Sequence, residues 1–455
     1  MKCLLAPVLL AAATLSGAPS AAHAIQPPQA APAQGSAFER RAAELVDLLI
    51  GKIAYADYFD AAFQKAVPKE NFDAITASLI AQYGQPVSVD KATSTNGRSG
   101  TVLLRFEKGV GTLSLEVGAG RDAKVFGLVF TNFEMANDSF DKVAAELAAL
   151  PGATGFLVAE LDGAAIRPLA SAHADTQFAV GSTIKLYILD ELAAQIAAGE
   201  RKWSDVAPLS HLSFSSAGTA NWPKGMPVTL QTLANWMISV SDNGATDTLI
   251  HLLGRERIEA RMKSAGHSAP SRNIPLLTTV EAFALKGNNF NDLRPLFIKG
   301  DDAAQRQLIE SNQNRLTLSN VDGVSFVEGP RFIDSLEWFA SPNDIARAMA
   351  DLRARKSDTT MSALAINNGV GPAAAEPWRY LGYKGGSENG VLSMSLLGER
   401  KADGKWFVVT ASWNDPKANL DAGRLVGLVT RFLALAARAP HAAPRPDTRP
   451  ATRRP

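Results

Sequence analysis

Two β-hairpin patterns, one near residue 160 and one near residue 400, bracket a long helical stretch. This arrangement constrains the fold more than any other feature of the chain. Thr154–Leu161 is apolar and leads through Asp162-Gly163 into a second strand pattern over 164–170. Val391–Leu397 and Trp406–Ala411 are joined through Asp403-Gly404. Asp-Gly between two apolar runs is a strong hairpin signal, because both residues tolerate positive φ. An isolated hairpin is at best marginally stable, so each must find further strands. Strands from both ends of a region spanning 137–436 are therefore expected in one antiparallel sheet, covered by the intervening helices. A helix over 139–150 opens the region and one over about 418–436 closes it.

A smaller α+β unit precedes this region, at 37–136. Phe38, Ala42, Leu45, Val46, Leu48 and Leu49 recur at helical spacing over 37–55, and Phe72, Ile75, Leu79 and Ile80 do so over 69–83. The period then changes to that of strands over 100–106, 111–117 and 124–133, separated by Gly-rich turns. Helices followed by a strand meander resemble the cystatin-like or NTF2-like cone folds. No catalytic constellation stands in this part. An accessory that admits substrate or binds a partner is one reading of it, and a spacer is the other; the partner is not named by the sequence.

The two ends of the chain read as peripheral. Lys2, an apolar alanine-rich run from Leu4 to Leu15 and the small-x-small site Ala22-His23-Ala24 form the pattern of a cleaved signal peptide over 1–24. The run is too short to span a bilayer, so export to the periplasm or medium is expected, with no transmembrane segment. The only cysteine, Cys3, would leave with the signal. Residues 25–36 form a Pro/Ala linker, and 437–455 a basic Pro/Ala/Arg tail expected to be disordered. The net charge of +1 gives no sign of a nucleic-acid partner. The absence of Cys/His metal spacings points to neither metal nor cofactor.

The chemistry concentrates in three short motifs. Ser182-Thr183-Ile184-Lys185 opens an apolar helix, placing an amine one turn behind a hydroxyl. A buried amine with a lowered pKa can take a serine's proton. Ser241-Asp242-Asn243 follows another apolar helix, and Lys384-Gly385-Gly386-Ser387 stands just before the Val391 strand. Singly, each has an ordinary explanation: Ser182 as a helix N-cap, Lys185 as a snorkelling lysine, Asp242-Asn243-Gly244 as a turn before a helix over 245–264, Lys384-Gly385-Gly386 as a strand entry. Together and in this order they are the Ser-x-x-Lys, Ser-Asp-Asn and Lys-Thr-Gly signature of class A β-lactamases and penicillin-binding proteins.

Over about 139–436 the chain thus resembles the penicillin-recognising serine enzymes, and their class A branch most closely. The resemblance implies a β-lactamase/transpeptidase-like fold of the α+β class. Ser182 would be the acylated nucleophile, Lys185 would help activate it, and Ser241 would relay a proton to the leaving nitrogen. Asn243 would hold Lys185 and the substrate amide. Lys384 and Ser387 would meet the substrate carboxylate beside Gly386. Backbone N–H groups of Ser182 and Ser387 would form the oxyanion hole. A small acyl substrate follows from this, with β-lactam hydrolysis, and so antibiotic resistance, as the first activity. A DD-peptidase or esterase with the same acyl-serine chemistry is the alternative, and a silent penicillin-binding-like module a third.

Two departures stand out. Gly385 replaces the usual threonine, removing one hydroxyl that could contact substrate. No good copy of the Glu-x-x-x-Asn loop that activates water in class A enzymes is present. Glu337, Glu328, Asp334 and Glu281 are the candidate acids, with Glu337 set before Trp338-Phe339, where burial would raise its pKa. An insertion around 286–322, with a polar helix about 301–314, is placed to roof or narrow the site.

Overall fold

The computed structural model describes residues 35–439, apart from 121 and 164. The expected signal peptide, most of the linker and nearly all of the basic tail lie outside the described residues. The chain falls into two compact units, one up to Asp138 and one from Ser139 onward.

In the first unit, β1 (Pro86–Ser94), β2 (Ser99–Phe106), β3 (Gly109–Val117) and β4 (Val125–Met135) form an antiparallel sheet in chain order. Helix α1 (Lys69–Tyr83) has the bounds the periodicity predicts. The single helix expected over 37–55 is instead three short ones, Ala37–Ala43, Leu45–Leu49 and Tyr55–Tyr58. Gly51, at φ +77°, interrupts helical geometry between the last two. Strand β1 has no apolar alternation to reveal it, because it is an edge strand whose residues are mostly exposed or half-buried. Phe38, Tyr58, Phe59, Val102, Leu104, Leu113 and Leu115 fill the core.

In the second unit, β5 (Ala153–Asp162), β6 (Ala165–Ala172), β7 (Trp378–Glu388), β8 (Val391–Arg400) and β9 (Trp406–Asn414) form one antiparallel sheet of order β7-β8-β9-β5-β6. The two hairpins meet where β9 pairs with β5, with Val409 opposite Val158. Helices α2 (Phe140–Ala148) and, from the far end of the chain, Ala422–Arg438 cover one face. There Phe156 and Phe432 stack at 4.4 Å, beside Val143, Leu147 and Val429. The closing helix runs two residues past the expected end at 436.

The other face carries most of the longer helices: α3 (Lys185–Ala197), α4 (Leu230–Ser239), α5 (Asn243–Leu253), α6 (Arg255–Ser264), α7 (Thr279–Lys286), α8 (Asp302–Ser311), α9 (Pro342–Ala354) and α10 (Asp358–Ala365). The helix expected over 245–264 breaks at Gly254, whose φ of +90° is foreign to a helix. Leu157, Leu186, Leu189, Leu233, Met237, Leu249 and Met349 knit these elements to the sheet. The α+β class and the helix-covered antiparallel sheet are thus as the sequence implies. Among the described residues no helix is long and apolar enough to cross a membrane.

Candidate active site

Ser182 lies in a single 3₁₀ turn, Gly181–Ile184, that runs directly into α3. The turn is pressed against edge strand β7. A Cβ on Gly386 would stand 1.9 Å from the Val180 carbonyl oxygen and 2.7 Å from the Ser182 nitrogen, so only glycine allows this approach. Gly181, at φ +49°, turns the chain so close that a Cβ there would lie 3.3 Å from the Ser387 nitrogen. Ser182 and Ser387 therefore bring their backbone nitrogens to the same short stretch of strand edge.

Lys185, one helical turn on, is 1 % exposed. Its amine donates to the Ser241 carbonyl at 2.7 Å, the Asn243 Oδ1 at 2.7 Å and the Ser241 hydroxyl at 3.2 Å. From the other side the Lys384 amine donates to the same Ser241 hydroxyl at 3.1 Å and to the Gly385 carbonyl at 2.5 Å. Ser182 lies three residues from Lys185, so the turn, both amines and Ser241 form one neighbourhood. Burial lowers the Lys185 pKa to about 7, against weaker opposing pulls from Asp242 and Asp247. Burial, then repulsion by Lys185, holds Lys384 well below the ordinary lysine value. Two amines sharing one hydroxyl in a dry site cannot both stay charged cheaply.

The Ser-Asp-Asn segment is fixed by its middle residue. Asp242, fully buried, accepts from Gly218 N at 2.7 Å, Thr219 N at 2.8 Å, Thr219 Oγ1 at 2.7 Å and Ala245 N at 2.8 Å, the last capping α5. Ser241 is held at φ +58°, a conformation rare for a non-glycine residue outside tight functional turns. Asn243 donates to the Phe214 carbonyl at 2.8 Å, which orients its oxygen towards Lys185. Phe214 is itself wedged against Phe283 and Phe326, at 5.2 and 5.6 Å.

The sequence model of the beta-lactamase enzyme family matches residues 138–366. The chain belongs to that family. Among solved structures, a beta-lactamase from Sphaerobacter thermophilus DSM 20745 is 22% identical, with a TM-score of 0.46, over 66% of this chain and 97% of that one. A beta-lactamase from Chitinophaga pinensis DSM 2588 is 14% identical (TM-score 0.44; 66% and 97% covered), and one from Francisella tularensis is 13% identical (TM-score 0.44; 66% and 96% covered). No curated protein sequence matches. Family membership makes the unit a beta-lactamase-like serine hydrolase by descent.

Against that background the four candidate acids are informative. Glu281 closes a capping box on α7 and pairs with Arg255 at 2.7 Å. Glu328 is 74% exposed, with Arg331 at 3.9 Å. Asp334 is exposed at a loop tip. Glu337 is buried, as Glu281 is, but the expectation that burial raises its pKa does not hold. Burial does push it up; Lys286, 2.6 Å away, and a hydrogen bond with Glu388 outweigh that and hold it below the ordinary carboxylate value. None of the four hydrogen-bonds Lys185, Ser241, Asn243 or Lys384 in any contact among the described residues.

The sequence did not draw attention to Lys286 or Glu388. Lys286 also contacts Glu388 at 2.6 Å. Burial, and then the neighbouring Glu337, pushes the Glu388 pKa well up against the opposing pull of Lys286. A signal existed: Lys384, Gly386 and Glu388 share one face of β7 by the strand's period of two. The 286–322 insertion has contacts of its own away from these side chains. Arg306 on α8 ties it to Glu256 and Glu259 of α6. With 271–277 and 334–339 it lines a cavity of 410 Å³ that includes none of Ser182, Lys185, Ser241, Asn243 or Lys384.

Proposed function

We propose that the chain is an acyl-transfer serine hydrolase that forms an acyl-enzyme at Ser182. The observation that carries this reading is the Lys185 amine, buried, with a pKa of about 7 and anchored to Ser241 and Asn243. A neutral amine at that place can accept the Ser182 proton as its oxygen attacks an acyl carbon, forming the new C–O bond. The Ser182 and Ser387 N–H groups face the carbonyl oxygen as it gains charge. Ser241, between the two amines, passes a proton to the departing nitrogen or oxygen. Asn243 keeps one amide hydrogen for the acyl side chain, and Lys384 supplies positive potential towards a carboxylate when protonated. Water then breaks the ester and returns Ser182 to its free form.

The substrates proposed are small acyl compounds, β-lactams first. A second reading, a DD-peptidase or esterase, is favoured by one observation. Among the described residues no carboxylate hydrogen-bonds Lys185, which leaves the acid that would activate water quickly unassigned. We further take residues 1–24 to be a cleaved export signal and the first unit to be a cystatin- or NTF2-like accessory. Incubating the mature protein with a fluorescent penicillin and following intact mass tests the central claim. A stable or transient adduct is expected on the parent and none on Ser182→Ala. Labelling that survives this substitution overturns the nucleophile assignment, and release within seconds separates a lactamase from a penicillin-binding enzyme.

A further inference from the structure

The glycine that replaces threonine in the third motif is covered by a tyrosine. A Cβ on Gly385 would lie 2.0 Å from the hydroxyl oxygen of Tyr383 and 2.7 Å from its ring carbon Cζ. A threonine side chain and the Tyr383 phenol therefore compete for one space. The ring also meets Gly369, where a Cβ would come within 2.7 Å, so two glycines leave room for it and hold it in place.

A tyrosine lying over the glycine two residues on could be a packing device only. The same strand offers a control. Tyr380 lies over Gly382 in the same way, its hydroxyl 2.4 Å from where a Cβ would stand. The Tyr380 hydroxyl is occupied, donating to the Met361 carbonyl at 2.9 Å. The Tyr383 hydroxyl hydrogen-bonds no described residue, and it is not among the sealed polar atoms that lack a partner. It stands over Gly385 in the edge strand of the sheet, one residue from the glycine that meets the Ser182 turn. The Lys384 amine reaches the Gly385 carbonyl, so amine and phenol flank the same residue.

We propose that Tyr383 is a specificity-determining residue whose phenol replaces the missing threonine hydroxyl and donates a hydrogen bond to the substrate carboxylate. This rests on the acyl-serine reading of the site for its substrate. Burial pushes the Tyr383 pKa up to about 12, so the phenol keeps its proton and can only assist an acceptor as a donor through the neutral range. A clamped ring loses little freedom on binding, which favours the contact.

The test compares a penicillin with its methyl ester on the full mature protein. For Tyr383→Phe the preference for the free acid in the acylation rate should fall roughly tenfold or more, the range for a hydrogen bond to a charged group. The ester rate should stay within about twofold, since uncharged substrates do not use such a bond strongly. Tyr383→Val should show the same loss, and Tyr383→Val combined with Gly385→Thr should restore the preference by returning a hydroxyl to the vacated space. An unchanged acid-to-ester ratio in a folded Tyr383→Phe protein overturns the proposal, as does a double variant no better than Tyr383→Val. Equilibrium binding of the same pair to Ser182→Ala gives a readout that needs no acylation. If the parent is never labelled, the acyl-serine reading fails while this arm still decides Tyr383: a carboxylate preference lost with Tyr383→Phe supports it, and no such preference or no loss overturns it.

Discussion

The second unit buries lysines in two ways, and the contrast separates chemistry from architecture. Lys286 is 1 % exposed and holds the carboxyl groups of Glu337 and Glu388 at 2.6 Å. Attraction outweighs burial, and its pKa is raised. Lys185 is equally buried, yet its hydrogen-bond partners are a carbonyl, an amide oxygen and a hydroxyl. Burial wins there, and its pKa falls to about 7. The same side chain thus has its pKa raised in one place and lowered in the other. A buried charge persists only where it is paired, and an unpaired base sheds its proton instead.

Replacing each lysine by alanine breaks this comparison most sharply. Lys185→Ala should slow acylation by roughly 10²–10⁴-fold, the range for loss of a positioned acid or base. Its melting temperature should fall less than that of Lys286→Ala, because hydrogen bonds to a carbonyl, an amide oxygen and a hydroxyl are lost but no carboxylate loses its cation. Penicillin labelling by stopped flow, with calorimetry, reads both. Lys286→Ala should do the reverse. It leaves two buried carboxyls without their cation and should cost about 3–5 kcal/mol in urea unfolding, while the acylation rate per folded molecule changes far less. A Lys286→Ala protein that is fully stable but inactive would place that cluster in the chemistry.

The pH dependence sharpens the comparison. A Lys185 pKa of about 7 predicts an acylation rate that rises through pH 7 as the amine loses its proton, and then levels. Stability has opposite signs at the two sites. The folded pKa of Lys185 lies below its ordinary value of 10.5, so it opposes folding progressively as pH falls from 10.5 to about 7. Lys286 has a raised pKa, so its contribution is present below 10.5 and is lost as pH rises through the raised value. Urea titrations of the parent and each alanine variant across this range should show the two slopes. The smallest effect is expected at Glu328, exposed and loosely paired: Glu328→Ala should change stability by less than about 0.5 kcal/mol and leave the lifetime of any acyl-enzyme unaltered.

Much of this arrangement was legible in the chain. Thr154–Leu161 and Trp406–Ala411 carried enough apolar pattern to announce a shared sheet, and they became β5 and β9, paired at its centre. Lys69–Tyr83 was readable because its periodicity runs unbroken between Pro68 and Gly84. Strand β7 was not, because Lys384-Gly385-Gly386-Ser387 has almost no apolar content, and its strand character comes from pairing with β8. Motif spacing nominated Ser182, Lys185, Ser241 and Lys384. It could not rank the acids, because Glu337 and Glu328 look alike until one meets Lys286 and the other meets water.

The amino-acid sequence by itself determined which residues could do acyl chemistry and which segments would form strands and helices. Both follow from local composition and period. Tertiary structure alone decided the surroundings of the titratable groups: which lysine has its pKa lowered, which has it raised, and which tyrosine hydroxyl stands over the glycine of the third motif. Those properties are set by burial and by charges brought together from positions as distant in the chain as 286 and 388, where no local pattern reaches.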